Sequence, residues 1–192
     1  MATKGCEKER ILELFESQKE SWQKRASEGI EKHRKGNATL TLTDLQGRAV
    51  SGARVKIRQT SHEFRFGANL FMLDELESAE KNALYKQYFS SVFNLEKIRQ
   101  TQGDMTVGEN YYHGALIRFD MTPKPSYQRL KEMISHCWHT EESRVTDENG
   151  TAEYRGFYGT YALEIEANGK SYCKEAVLSS KTDNGLAFIL DT

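Results

Sequence analysis

The chain has 192 residues, 27 basic against 28 acidic side chains, and a mean hydropathy of -0.71. That length suits one domain, or one domain carrying an insertion, and the near-zero net charge excludes the basic footprint of a general nucleic-acid binder. No apolar run approaches the roughly 20 residues that span a bilayer. The opening MATKGCEKER has no apolar signal core, so neither a membrane partner nor a leader is expected.

The predicted elements follow in chain order. Residues 7–35 are charge-rich, with Ile11, Leu12, Leu14, Phe15, Trp22 and Ile30 at helical spacing. A helix broken near Gly29 is expected, docking on the body by one narrow face; a partner-binding helix is the alternative. Gly36-Asn37 ends it. Residues 39–60 then alternate as two half-buried strands, with Leu40, Leu42, Val55 and Ile57 facing inward. HEFRFGANLF, with Phe64 and Phe66 on alternate positions, predicts a third.

From Leu76 to Phe93 the period turns helical again, and the segment after it reads as loop. ALIRF is a short strand candidate. PKPSYQRLKEMISHCWH is a helix with Pro125 in its first turn, where a missing N–H costs nothing. Residues 143–190 return to strands separated by Glu148-Asn149-Gly150, Asn168-Gly169 and Asp183-Asn184-Gly185 turns. The fold class is therefore mainly β: a discontinuous sandwich over 37–64 and 141–192, an N-terminal helical segment over 1–36, and a helical insert over 65–140. Neither strand set alone covers an apolar face, whereas together they close two sheets.

Cys6, Cys137 and Cys173 are odd in number and irregularly spaced, which favours free thiols over a disulfide framework or a zinc site. His136 and His139 sit at i, i+3 in HCWH, but two ligands without a third make no metal centre, so metal and cofactor are expected to be none. Phosphate-cradling and serine-elbow motifs are missing.

Two resemblances add to this reading. TDLQGRAVSGARVKIRQ with TDENGTAEYRGFYGTYALEIEANGKSY (Asp44, Gly47, Gly52 and Val55, then Thr146, Asp147, Gly150 and Tyr161) resembles the transthyretin-like, or carboxypeptidase-regulatory-like, β-sandwich. HEFRFGANLFML and QGDMTVGENYYHGALIRFDMTPKPSYQRLKEMISHCW resemble the first and last units of a family 10 glycoside hydrolase, the endo-β-1,4-xylanases. Seven residues between Asn94 and Gln102 stand where that family has most of its barrel, and its acid/base and nucleophile glutamates have no matching positions. Retaining hydrolysis needs two carboxylates about 5–5.5 Å apart, so the chain is expected not to be an enzyme.

The resemblance implies an extracellular, non-catalytic carbohydrate-binding module for xylan or a related β-1,4-linked plant polysaccharide. A ligand-free structural brace and residual xylanase activity are the alternatives. Aromatic rings stack on sugar faces while polar neighbours bond the hydroxyls, which makes Tyr158, Tyr172, Trp138, Tyr111 and Tyr112 the candidates, with Arg155 beside them. Barrel remnants would leave apolar edges for a second copy to cover, so a homodimer is a further expectation.

Overall fold

The computed structural model describes residues 4–69, 72–97, 116–118 and 120–191. Helix α1 (Lys4–His33) leads into strand β1 (Lys35–Asp44), β2 (Arg54–His62) and the short β3 (Gly67–Asn69). Helix α2 (Ala79–Ser90), β4 (Leu95–Lys97), α3 (Pro125–Glu132) and a π-helical turn over Met133–Cys137 complete the insert. Strands β5 (Glu141–Val145), β6 (Thr151–Phe157), β7 (Gly159–Ala167), β8 (Lys170–Leu178) and β9 (Gly185–Leu190) follow.

The sandwich is two sheets, in the orders β6-β1-β9 and β5-β2-β7-β8. Alternation along each strand builds its core: Ala38, Leu40 and Leu42 from β1 meet Val55 and Ile57 from β2 and Tyr161, Leu163 and Ile165 from β7. The mainly β, discontinuous architecture expected from the sequence is what the chain adopts. Thr146, buried at the start of the β5–β6 turn, accepts from Ala53 N–H at 2.9 Å and donates to the Val50 carbonyl at 2.7 Å. These bonds anchor the turn after β5 to the loop before β2.

Strand β2 pairs with β5 as well as β7, and the register sets Arg58 opposite Glu141. The chain leaves the sandwich at the end of β2 and returns beside the same strand. Between these points β3 and β4 form a parallel pair with α2 as the crossover. Val92, Tyr127 and Ile134 make a second, smaller core with Phe66 and Trp138 at its margin.

Three sequence expectations change. The HEFRF segment is not a strand, because Asn94 folds it into a turn: its side chain accepts from Phe66 N–H at 2.8 Å and donates to the Phe64 carbonyl at 3.0 Å. ALIRF gives only a bridge between Ile117 and Pro123 among its described residues. Helix α1 runs unbroken through Gly29, yet it does not dock by its apolar stripe. Ile11, Leu12, Leu14, Phe15 and Trp22 are all exposed, and among the described residues the body is met at the last turns, where Arg155 bonds the Glu31 carbonyl at 2.6 Å and its carboxylate at 3.3 Å.

Candidate functional site

The junction between sandwich and insert concentrates the polar and aromatic side chains. A bulge in β2 between Gln59 and Ser61 turns the Gln59 amide into the junction, where it is 2 % exposed. Its Oε1 accepts from Thr140 N–H at 3.2 Å, while its Nε2 donates to the Ser61 carbonyl at 3.1 Å and faces His62 Nδ1 at 3.2 Å. Thr140 in turn accepts from Phe157 N–H at 2.9 Å, and the Tyr161 hydroxyl donates to the Phe157 carbonyl. Burial pushes the Tyr161 phenol up to about 12. The exit from β2, the return into β5 and the β6–β7 corner are thus one network of satisfied buried groups.

Gly159 makes the approach possible, since a Cβ there would overlap the Ser61 carbonyl oxygen. The His62 ring meets Phe66 of the insert edge to face at 5.3 Å between centroids and Phe157 of the sandwich at 6.2 Å, so sandwich and insert share it. With Nδ1 accepting from Gln59, the proton belongs on Nε2. Burial is the main cause that lowers the His62 pKa, with repulsion from His139 and Arg34 adding to it. His139, whose ring centroid is 6.4 Å away, is lowered chiefly by burial as well.

Beside this network lies a cleft of about 350 Å³ lined by Arg34, His62, Glu63, Phe66, Trp138 and Tyr158 among others. Its aromatic walls are already occupied. Trp138 stacks on Phe66 with centroids 5.8 Å apart and planes 7° from parallel. The Arg34 guanidinium lies 3.3 Å over Phe64 and 5.4 Å from the Trp138 ring, a cation–π arrangement. Glu63, the cleft's carboxylate, is held by Ser180, and no second carboxylate lines the cleft among the described residues. The lining thus offers no acid–base carboxylate pair, and no cluster of three metal-ligating side chains exists among the described residues.

The sequence candidates do not converge. Trp138 is committed to Phe66, and Arg155 holds α1. Tyr158 is half-buried over Gly36, where a Cβ would lie 2.6 Å from its ring, and its backbone joins Arg34 to Glu63. Tyr172 is half-buried on β8, packed against the sandwich core far along the sheet from the junction. Tyr111 and Tyr112 lie outside the described residues. Cys137 and Cys173 are free thiols, as the irregular spacing implied. What sequence reasoning missed is Gln59 with Thr140. A glutamine at an inward-facing strand position was the available signal.

No family model matches the chain, and no curated protein matches it. The solved structures similar to it include an intradiol ring-cleavage dioxygenase from Tetranychus urticae, at TM-score 0.35 and 18% identity over 79% of this chain and 56% of that one. Another is the pilus backbone protein RrgB from Streptococcus pneumoniae, at TM-score 0.31 and 12% identity over 81% of this chain and 40% of that one. The chain spans about half the length of the dioxygenase it matches. The family assignments made from sequence do not stand: neither a xylanase nor a carbohydrate-binding family is found. Short motif likenesses misled because turn signals such as D-x-x-G recur wherever strands of a sandwich are joined.

Proposed function

We propose that this chain is a structural brace: a sandwich that clamps the two ends of an inserted helical unit and carries a projecting helix, without a ligand of its own. One observation carries it. The insert leaves from β2 and returns on β5, adjacent hydrogen-bonded strands, and the Gln59–Thr140 pair locks the exit to the return. The described sugar-stacking candidates Trp138, Tyr158 and Tyr172 each pack against the chain itself, which supports this reading.

The test excises the insert, joining His62 to Thr140 through a turn of about four residues, so that the Gln59–Thr140 pair is kept. The shortened chain should retain its β circular dichroism and a cooperative melt, because neighbouring strands need only a hairpin turn. An insert expressed alone should be unfolded. A folded isolated insert beside a collapsed sandwich would reverse the roles and sink the proposal. Retardation of the intact chain in gels containing soluble polysaccharides would equally overturn the ligand-free reading.

A further inference from the structure

Three Asn-Gly steps lie in turns of the sandwich: Asn149-Gly150, Asn168-Gly169 and Asn184-Gly185. Such a step carries its own chemistry. Glycine has no side chain to shield its amide nitrogen, so that nitrogen can reach the Cγ of the preceding asparagine when the turn is free to swing. The three steps are alike in sequence, and their surroundings set them apart.

Asn149 is locked. The Gly150 N–H donates to the Asp147 carbonyl at 3.0 Å, and the Asp147 carboxylate accepts from the N–H groups of Asn149 and Thr151 at 2.9 and 2.8 Å. Gly150 is also buried against β1, where a Cβ would come 2.5 Å from the Leu42 carbonyl oxygen. Asn184 is held at both ends. Its Oδ1 accepts from Ser179 N–H at 3.0 Å, its carbonyl accepts from Thr39 N–H at 3.2 Å, and Gly185 opens β9 opposite Thr39.

Asn168 has no such restraint. With Gly169 it forms the two-residue tip of the β7–β8 hairpin, between the paired Ala167 and Lys170, at φ values of 50° and 78°. The Asn168 side chain is exposed, and neither its amide nor the Gly169 N–H has a hydrogen-bond partner among the described residues. A Cβ on Gly169 would meet nothing within 4 Å.

We propose that Asn168 is a modification site, where the folded chain deamidates spontaneously. The Gly169 nitrogen loses its proton and attacks Asn168 Cγ. The N–Cγ bond forms as the Cγ–Nδ2 bond breaks, and the amide group leaves with that proton as ammonia. The five-membered succinimide so formed is opened by water, which adds its hydroxyl to one ring carbonyl and its proton to the nitrogen. Opening at Cγ leaves aspartate. Opening at the main-chain carbonyl leaves isoaspartate, whose main chain runs through Cγ and is one methylene longer. Nothing is oxidised or reduced. Either product adds one negative charge, and isoaspartate loosens the hairpin where Ala167 pairs with Lys170. The site stands at the end of β7 away from Gly159 and the junction and does not depend on the brace reading.

Peptide mapping by mass spectrometry tests this on the full chain, folded and urea-unfolded, during incubation in mildly alkaline buffer. In the folded chain the Asn168 peptide should convert at least about tenfold faster than the Asn149 and Asn184 peptides. Tenfold is about 1.4 kcal/mol of barrier, within reach of one or two net hydrogen bonds. In the unfolded chain the three rates should draw together, because the fold is what separates them. Asn168→Gln, whose amide carbon lies one bond too far for the five-membered ring, should end the conversion at this position. Conversion of folded Asn149 or Asn184 as fast as that of Asn168 overturns the proposal. So does a folded Asn168 that stays intact while the unfolded chain converts, since the hairpin would then protect its own tip. Amide hydrogen exchange at Lys170 should be quicker in the isoaspartate form than in Asn168→Asp, which carries the charge alone; equal rates would refute the loosening.

Discussion

Replacing Gln59 by leucine probes the clamp with little change in volume, so packing should be nearly conserved. What changes is polar satisfaction. The Ser61 residue is exposed, so its carbonyl can turn to water, and the Tyr158 carbonyl keeps its bond from Glu63 N–H at 2.9 Å. Thr140 is 9% exposed, and its N–H has no other acceptor among the described residues once the amide oxygen is gone. An orphaned buried donor costs about 1–3 kcal/mol, so we expect a loss of about 2 kcal/mol and a melting temperature lower by roughly 4–8 °C for a chain of this size. Differential scanning calorimetry with urea unfolding measures it. Hydrogen exchange at the Thr140 amide should quicken while that at Leu163, deep in β7, tracks only the global loss. A stability change below about 0.5 kcal/mol, the scatter of ordinary surface substitutions, would show that the network is not what joins exit to return, and the reasoning would be refuted.

Tyr154→Phe should be neutral or stabilising by up to about 1 kcal/mol, because its buried hydroxyl has no hydrogen-bond partner among the described residues; a clear loss in urea midpoint would reveal a partner. Gly159→Ala should cost more than about 3 kcal/mol and leave little folded protein, since the added methyl meets the Ser61 carbonyl oxygen; a folded, soluble variant would contradict the strand geometry. His62 and His139 both have pKa values below the ordinary 6.5. Below 6.5 the unfolded chain therefore binds more protons than the folded one, and stability contributed by these groups is present above 6.5 and lost as pH falls toward their folded values. Protonated His62 would also turn an N–H toward the Gln59 amide. Melting temperature against pH should fall on the acid side, less steeply in His62→Gln; equal slopes would remove His62 from the effect.

Strand existence was legible because alternation is a local property: Leu40, Leu42, Val55 and Ile57 announce their inward face regardless of partners. The pairing of β1 with β9 was not, since parallel neighbours far apart in sequence leave no local trace. Phe64 and Phe66 alternate like a strand, but Asn94, 28 residues on, competes for their backbone. The exposed stripe on α1 was read as a docking face because amphipathicity shows that a helix has an apolar side and not what covers it. The surroundings of the sugar-stacking candidates were illegible for a related reason. An aromatic residue's type is visible in sequence, while Trp138's commitment to Phe66 depends on a loop and a helix end meeting in space.

The parallel pairing of β1 with β9 bears on synthesis. Strand β1 sits at the centre of its sheet, with Thr39 to Asp44 joined to Gly185 to Leu190. Some 140 residues must be made between the two, about 7–28 s at 5–20 residues per second. Throughout that interval the edge of β1 that receives β9, where Thr39 N–H bonds the Asn184 carbonyl in the finished fold, has no permanent neighbour and stays open to other nascent chains. Expression yield should therefore respond to chaperone supply and to the speed of translation, even in variants whose final stability is unchanged.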